Sequence, residues 1–166
     1  MKTLISEKIQ RILKNKKRLE KILGVKIENR GKEVYIDGKP EDEYIAEKVI
    51  DALDFGFPFS TAISIKEEDF HFEILNIKNY TRRKDFVRIK ARLIGKKGKT
   101  LKTLSELTKC NFELKGYDIG IIGSPECIKT TQEAIIYLIQ GSKHANVYTL
   151  LEKNQIKSEL DLGLKE

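Results

Sequence analysis

The sequence contains an internal duplication, and this feature most constrains the fold. When the chain is shifted by 85 residues against itself, glycines, a Pro-Glu pair and the apolar positions of one helix coincide. The coinciding pairs are Gly31 with Gly116, Ile36 with Ile121, Gly38 with Gly123, Pro40-Glu41 with Pro125-Glu126, Val49-Ile50 with Ala134-Ile135, and Gly56 with Gly141. Self-similarity at a fixed period is typical of one structural unit that occurs twice. The sequence therefore predicts two copies of a single small fold.

Each half predicts the element order β-α-α-β-β-α. Short alternating apolar runs such as Val34-Tyr35-Ile36 indicate strands, and apolar residues at helical spacing indicate the helices between them. Ser124-Pro125-Glu126 is a strong helix start, with serine at the N-cap and proline at the first helical position. We predict an α+β fold with two three-stranded antiparallel sheets, each with helices packed on one face. The predicted boundaries are 1–65 for the first unit, 66–154 for the second, and 155–166 for a loose tail. The last helix of the second unit is predicted to run from Ala145 to Lys153.

The second half carries a Gly-Lys-Lys-Gly turn between two helices, at Gly95-Lys96-Lys97-Gly98. A glycine has no Cβ, so the backbone at such a turn can approach a phosphate closely. The helix that follows directs unpaired N–H groups and the positive end of its dipole at the same place. The motif therefore predicts an anion site, although an ordinary glycine turn with solvated lysines explains the pattern when it is taken alone.

The first half lacks this turn. Alignment of Ile12-Leu13 with Leu93-Ile94 needs a shift of 81 residues, so four residues are missing where the second half has its glycines. The corresponding stretch reads Lys14-Asn15-Lys16-Lys17, which keeps positive charge and loses the glycines. We therefore expect one competent nucleic-acid site and one degenerate copy. Contact with RNA through residues 14–18 and contact with a protein through the first unit both remain open.

The charge distribution favours a polyanionic partner. The formal net charge is +7 and the isoelectric point is near 9.3. Between Arg82 and Lys102 there are ten basic residues and one acid, Asp85. A basic balance of this kind bears on binding partners and association rather than on fold.

The second half resembles a type I KH domain, in which a Gly-x-x-Gly loop clamps about four single-stranded nucleotides. More narrowly, it resembles the KH proteins of small-subunit ribosome biogenesis, the partner-of-Nob family, in an archaeal-like form. Three stretches carry the narrower resemblance: Arg92 to Thr100, Ile121-Ile122-Gly123-Ser124, and Gly141-Ser142-Lys143-His144-Ala145-Asn146-Val147-Tyr148. The resemblance implies two tandem type I KH domains, the first without a Gly-x-x-Gly loop. It also implies binding of pre-rRNA near the 3′ end of the small-subunit rRNA, beside the endonuclease that matures this end and, in archaea, a translation initiation factor.

The predicted RNA-binding residues surround the glycine turn. Glycines would admit the phosphates, lysines and arginines would neutralise them, and apolar residues would line a groove beneath the bases. For Arg88 and its neighbours a solvated basic face is an almost equal alternative. The predicted residues are Arg88, Lys90, Arg92, Leu93, Ile94, Gly95, Lys96, Lys97, Gly98, Lys99, Thr100, Leu101, Lys102, Asn111 and Lys115, with Glu113 as a further candidate on the same strand.

The sequence gives no indication of an enzyme, a cofactor or a bound metal. The glycine turn is shorter than the loop of a nucleotide-hydrolysing protein, and the acids at 67–69 lie in a polar run. Cys110 and Cys127 are predicted to be buried, reduced thiols. No apolar run is long enough to span a bilayer, so we expect a cytoplasmic protein without membrane contact. A general single-stranded RNA regulator and a protein-interaction scaffold with structural KH units are the alternative functions.

Overall fold

The computed structural model describes residues 1–163, with side chains through Gln155; residues 164–166, at the end of the predicted tail, lie outside the described residues. The chain divides into two compact units, with the boundary after Phe72. Within the described residues no helix is both long enough and apolar enough to cross a membrane.

The first unit contains one antiparallel three-stranded sheet with the order β1-β3-β2. The buried side chains of the central strand, Val34 and Ile36, pack with the apolar face of a long helix that begins at Pro40. Its elements are β1 (Lys2–Ile5), α1 (Ile9–Lys14), α2 (Lys16–Leu23), β2 (Lys26–Arg30), β3 (Glu33–Asp37), α3 (Pro40–Phe55) and α4 (Phe59–Glu67).

The second unit repeats this arrangement, with sheet order β4-β6-β5. The α+β class and the two three-stranded antiparallel sheets predicted from the sequence are confirmed. The final helix continues past Lys153, where its end was predicted. The elements are β4 (His71–Asn76), a 3-10 turn (Ile77–Tyr80), α5 (Phe86–Ile94), a 3-10 turn (Lys96–Gly98), α6 (Lys99–Thr108), β5 (Asn111–Lys115), β6 (Asp118–Gly123), α7 (Pro125–Ile139) and α8 (His144–Gly163).

The core of the second unit lies between its sheet and its helices. Ile119 and Ile121 of β6 are buried together with Ile135 of α7 and Leu93 of α5. Full burial of each such side chain contributes roughly 1.5–3 kcal/mol. The Ser124 hydroxyl accepts a hydrogen bond from the backbone N–H of Cys127 at 3.3 Å and so caps α7 as the sequence predicted. The packing of Leu93 in this core holds α5 in place, and with it the loop that follows.

The glycine that occurs in both units, as Gly38 and as Gly123, is explained by a neighbouring side chain that leaves no room for a Cβ. A Cβ at Gly123 would lie 2.4 Å from the Sγ of Cys110, and a Cβ at Gly38 would lie 2.9 Å from a methyl of Val25. Val25 and Cys110 are themselves related by the 85-residue shift. In each unit, therefore, the end of the central strand leaves no room for a side chain.

Both cysteines are free thiols, but only Cys110 is fully buried, and its burial raises the pKa of the thiol.

Candidate nucleic-acid interface

The loop between α5 and α6 is a tight turn that depends on Gly95. The backbone of Gly95 has φ 77° and ψ 172°, a conformation that is essentially restricted to glycine. A Cβ at this position would lie 2.7 Å from the backbone nitrogen and 2.2 Å from the hydroxyl oxygen of Thr100. Thr100 lies in the first turn of α6 and is buried. The missing side chain of Gly95 thus lets the first turn of α6 pack directly on the end of α5.

Gly98 has a different role from Gly95. Its backbone is left-handed, with φ 75°, and no described atom lies within 4 Å of a Cβ built there. The N–H of Gly98 donates a hydrogen bond to the carbonyl of Gly95 at 3.2 Å. Lys97, between them, is also left-handed, with φ 56°. Gly98 therefore faces open space, where a ligand can approach the backbone.

The first turn of α6 presents positive charge without a competing acid. Gly98 is its N-cap residue, so no side chain caps the first N–H groups, and the first turn contains no acidic residue. Lys96, Lys97 and Lys99 are exposed, and within the described residues none of the three forms an ion pair. Uncapped N–H groups, the helix dipole and mobile lysines together form a site that suits a phosphate.

The corresponding junction in the first unit has a different geometry. A single residue, Asn15, separates α1 from α2. Its side-chain amide donates a hydrogen bond to the carbonyl of Arg11 at 3.0 Å, and Arg11 in turn donates to the carbonyl of Phe57 at 2.7 Å. The Arg18 guanidinium lies 4.1 Å from the centre of the Phe59 ring. Arg11 and Arg18, which lie on either side of this junction, are therefore engaged by contacts within the unit.

Arg92, one of the predicted RNA contacts, is half-buried and hydrogen-bonded within the unit. Its guanidinium donates hydrogen bonds to the carbonyls of Leu138, at 3.0 Å, and of Ser142. The carbonyl of Arg92 is bonded to the Nε2 of His144 at 3.0 Å. These contacts join the end of α5 to the end of α7 and the start of α8. Arg92 therefore positions the helix that carries the loop, and its side chain is engaged within the unit.

We expect Arg92→Gln to lower the free energy of unfolding by roughly 2 kcal/mol, because the shorter, uncharged glutamine cannot satisfy both carbonyls and hydrogen bonds from charged groups contribute about 1.5–3 kcal/mol. This variant removes one positive charge, yet the salt dependence of RNA binding should stay unchanged, whereas Lys97→Ala should reduce the magnitude of the salt slope by about 0.7. Urea denaturation and a salt titration of binding measure the two effects. A reduced salt slope for Arg92→Gln would indicate that Arg92 contacts a phosphate.

The structure divides the residues of β5 between two faces. Phe112 and Leu114 pack against the core on the helix side of the sheet. Asn111, Glu113 and Lys115 alternate with them and so belong to the opposite face. The predicted base contacts from this strand therefore lie away from the face that adjoins α5 and α6. Phe112 and Leu114, which the sequence analysis did not single out, are half-buried on the helix side.

The remaining predicted residues lie on α5 and α6 with different degrees of exposure. Leu93 is 1% exposed and belongs to the core, whereas Ile94 and Leu101 are half-buried and suit the wall of a groove. Arg88 and Lys102 are exposed. The ammonium group of Lys90 lies 5.9 Å from the centre of the Tyr117 ring, a contact that the sequence pattern did not indicate. Within the described part of the chain no group of histidines, cysteines and acids could hold a metal ion.

The profile of the second KH domain of PNO1 proteins, a eukaryotic-type KH domain of type I, matches residues 71–156. The KH domain-containing protein MJ0443 of Methanocaldococcus jannaschii is 30% identical over 149 residues, which cover 86% of this chain and 66% of that protein. The chain thus spans slightly less than two thirds of this relative.

Solved structures show the same fold. Dim2p from Pyrococcus horikoshii superposes with a TM-score of 0.82 at 27% identity, covering 92% of this chain and 98% of the other. The complex of a/eIF2alpha, aDim2p and rRNA from the same organism gives a TM-score of 0.82 at 27% identity, with 94% of each chain covered. A protein of unknown function from Aeropyrum pernix, APE0754, gives 0.85 at 23% identity, covering 99% and 97% of the two chains, which shows the fold alone.

Proposed function

The chain belongs to the PNO1-type KH-domain family, and from this premise we propose that it is an RNA-binding factor of small-subunit ribosome biogenesis. Its second unit would bind single-stranded RNA through the Gly95–Gly98 loop. The observation that carries the proposal is the open backbone at Gly98 beside the uncapped first turn of α6. Three exposed lysines flank this position, and KH loops clamp the backbone of about four nucleotides.

We further propose that the RNA is pre-rRNA near the 3′ end of the small-subunit rRNA. The relative solved as a complex contains rRNA and the α subunit of a translation initiation factor, which supports both classes of partner for this chain. The endonuclease that matures the 3′ end is a third proposed partner, from the family resemblance. The chain would act without catalysis, by holding a short single-stranded segment for processing or by keeping it from pairing prematurely.

The first unit is proposed to be a KH copy that has lost its RNA loop. Its sheet order and its two consecutive helices repeat those of the second unit, which supports common descent from one fold. The single-residue junction at Asn15 replaces the glycine turn, so this junction has no glycine backbone open to a ligand, although the first turn of α2 also lacks a side-chain cap and an acidic residue. A protein-contact role for this unit follows as a hypothesis. The hypothesis loses its basis if removal of the basic charges at 14–18 weakens RNA binding as much as the same change at 96–99.

Selectivity for rRNA distinguishes the proposed function from its alternatives. We expect the full chain to bind an oligonucleotide with the 3′-end sequence of the small-subunit rRNA at least about tenfold more tightly than a scrambled one, because hydrogen bonds to the edge of one base contribute about 1–3 kcal/mol of discrimination. Fluorescence anisotropy at fixed salt measures both affinities, since the electrostatic part of binding depends on ionic strength. Equal affinities would favour a general RNA regulator. No binding to either RNA would favour a protein-interaction scaffold.

A further inference from the structure

Two aromatic rings and two lysines form a cluster at the end of α5 farthest from the glycine loop. The ring centres of Phe86 and Tyr117 are 5.7 Å apart. The ammonium nitrogen of Lys78 lies 5.3 Å from the Phe86 centre and 5.0 Å from the Tyr117 centre, and that of Lys90 lies 5.9 Å from the Tyr117 centre. We call these four residues the aromatic–lysine cluster. Lys78 is exposed and the other three are half-buried, so the cluster is accessible.

The backbone around Tyr117 is fixed independently of its ring. Tyr117 lies in the tight turn between β5 and β6, and its carbonyl accepts a hydrogen bond from the N–H of Ile77 at 3.0 Å. The side-chain amide of Asn76 donates to the carboxylate of Asp118 at 2.7 Å. These contacts tie the turn to the end of β4. The ring also packs against the core of the second unit, so its truncation should lower stability, but these contacts of the backbone and of Asn76 should keep the turn in place.

The aromatic–lysine cluster and the glycine loop lie along one face of α5. Phe86, Lys90 and Ile94 are spaced four residues apart, which places them on one side of a helix. From Phe86 to Ile94 the helix rises about 12 Å. Ile94 is half-buried and immediately precedes Gly95. A strand that leaves the loop along this face therefore reaches the cluster at the other end of the helix.

We propose that the aromatic–lysine cluster is a second contact for the RNA strand held by the loop, with a nucleobase stacked on Tyr117. This inference rests on the proposed function and adds the position at which the strand is read. An aromatic face stacks on any base, and nearby cations neutralise the adjoining phosphates. In the free chain the ammonium groups of both lysines lie near the Tyr117 ring. Their flexible stems would let them neutralise the phosphates of an RNA strand whose base stacks there. This combination of rings and positive charge favours a nucleic acid, in which every phosphate adjoins an aromatic base, over an acidic peptide, whose carboxylates carry no aromatic ring.

An abasic scan of an octanucleotide tests the proposal in the full chain. At one position, loss of the base should weaken binding by wild type roughly 5- to 150-fold, and Tyr117→Ala should weaken binding of the intact strand by a similar factor. The two changes should not add, because they remove the same contact. Tyr117→Phe keeps the ring and serves as the matched control, with affinity close to that of wild type. The proposal is overturned if Tyr117→Ala shows the same abasic profile as wild type.

A fluorescence reporter gives an independent measurement, since the sequence contains no tryptophan. Tyr117→Trp places a single indole in the aromatic–lysine cluster, and the intact octanucleotide should quench its emission. The strand that lacks the critical base should bind with little quenching. Binding without quenching by any strand would refute the stacking. Absence of RNA binding by wild type would instead remove the proposed function and this inference together.

Discussion

Gly98→Asp is expected to weaken RNA binding by roughly 100-fold and to lower the free energy of unfolding by less than about 1 kcal/mol, since aspartate tolerates a left-handed backbone better than alanine does. A phosphate bound at the start of α6 takes hydrogen bonds from backbone N–H groups and attraction from the lysines around Gly98. An aspartate there places a negative charge and added bulk at the same position. Loss of two hydrogen bonds to a charged group, at about 1.5 kcal/mol each, amounts to roughly 3 kcal/mol, or roughly 100-fold in Kd. Anisotropy with the rRNA oligonucleotide measures the loss.

Gly98→Asn is the matched control for this variant. Asparagine has the size of aspartate and tolerates the left-handed backbone of Gly98, with φ 75°, but it carries no charge. No described atom lies within 4 Å of a Cβ at this position, so both variants should unfold at the same denaturant concentration. We expect the asparagine variant to bind far more tightly than the aspartate variant. Equal losses would indicate that bulk alone blocks the loop, and equal retention would place the RNA elsewhere.

Local sequence patterns predicted the fold because the unit is repeated. The glycines at 38 and 123 and the Pro-Glu pairs that follow them mark the same turn and the same helix start twice. Each of these signals is weak by itself, but their common spacing in both halves is difficult to obtain by chance.

The final helix was predicted to end at Lys153, whereas it continues to Gly163. No glycine or proline stops that helix at the predicted point, and the polar residues there do not distinguish an exposed helix from a tail.

The candidate site was less predictable because its limits are set by contacts that are distant in sequence. Arg92 belongs to a basic run, and only the structure shows the carbonyls of Leu138 and Ser142 against its guanidinium. Alternation in β5 predicts that Asn111 and Phe112 lie on opposite faces of the sheet. The sequence does not tell which of these faces packs against the helices, and the structure shows that it is the face of Phe112. The contact between Lys90 and Tyr117 joins a helix to a hairpin turn. The glycine loop itself was recognisable, since its conformation is a local property of four consecutive residues.

Gly95→Ala is expected to lower the free energy of unfolding of the second unit by about 3 kcal/mol. The backbone of Gly95, at φ 77° and ψ 172°, imposes strain of roughly 1–3 kcal/mol on any residue with a Cβ. The added methyl would also meet the backbone nitrogen of Thr100 at 2.7 Å, and overpacking of this kind costs roughly 1–3 kcal/mol more. The loop can relieve part of this by moving α6. Urea denaturation of the full chain, with Tyr117→Trp as a reporter in the second unit, measures the change.

Gly98→Ala is a milder reference for Gly95→Ala, because Lys97 also adopts a left-handed backbone like that of Gly98, whereas the conformation of Gly95 is essentially restricted to glycine. It shares a positive φ with Gly95→Ala, but its methyl points into open space, so its cost should stay near 1–2 kcal/mol. Thr100→Ala combined with Gly95→Ala removes the hydroxyl, which lies 2.2 Å from the added methyl, and leaves the backbone nitrogen in place. Recovery in the double variant should therefore be partial. If Gly95→Ala costs no more than Gly98→Ala, then α6 has a second stable position and the geometry of the loop does not depend on the packing of Thr100 against Gly95.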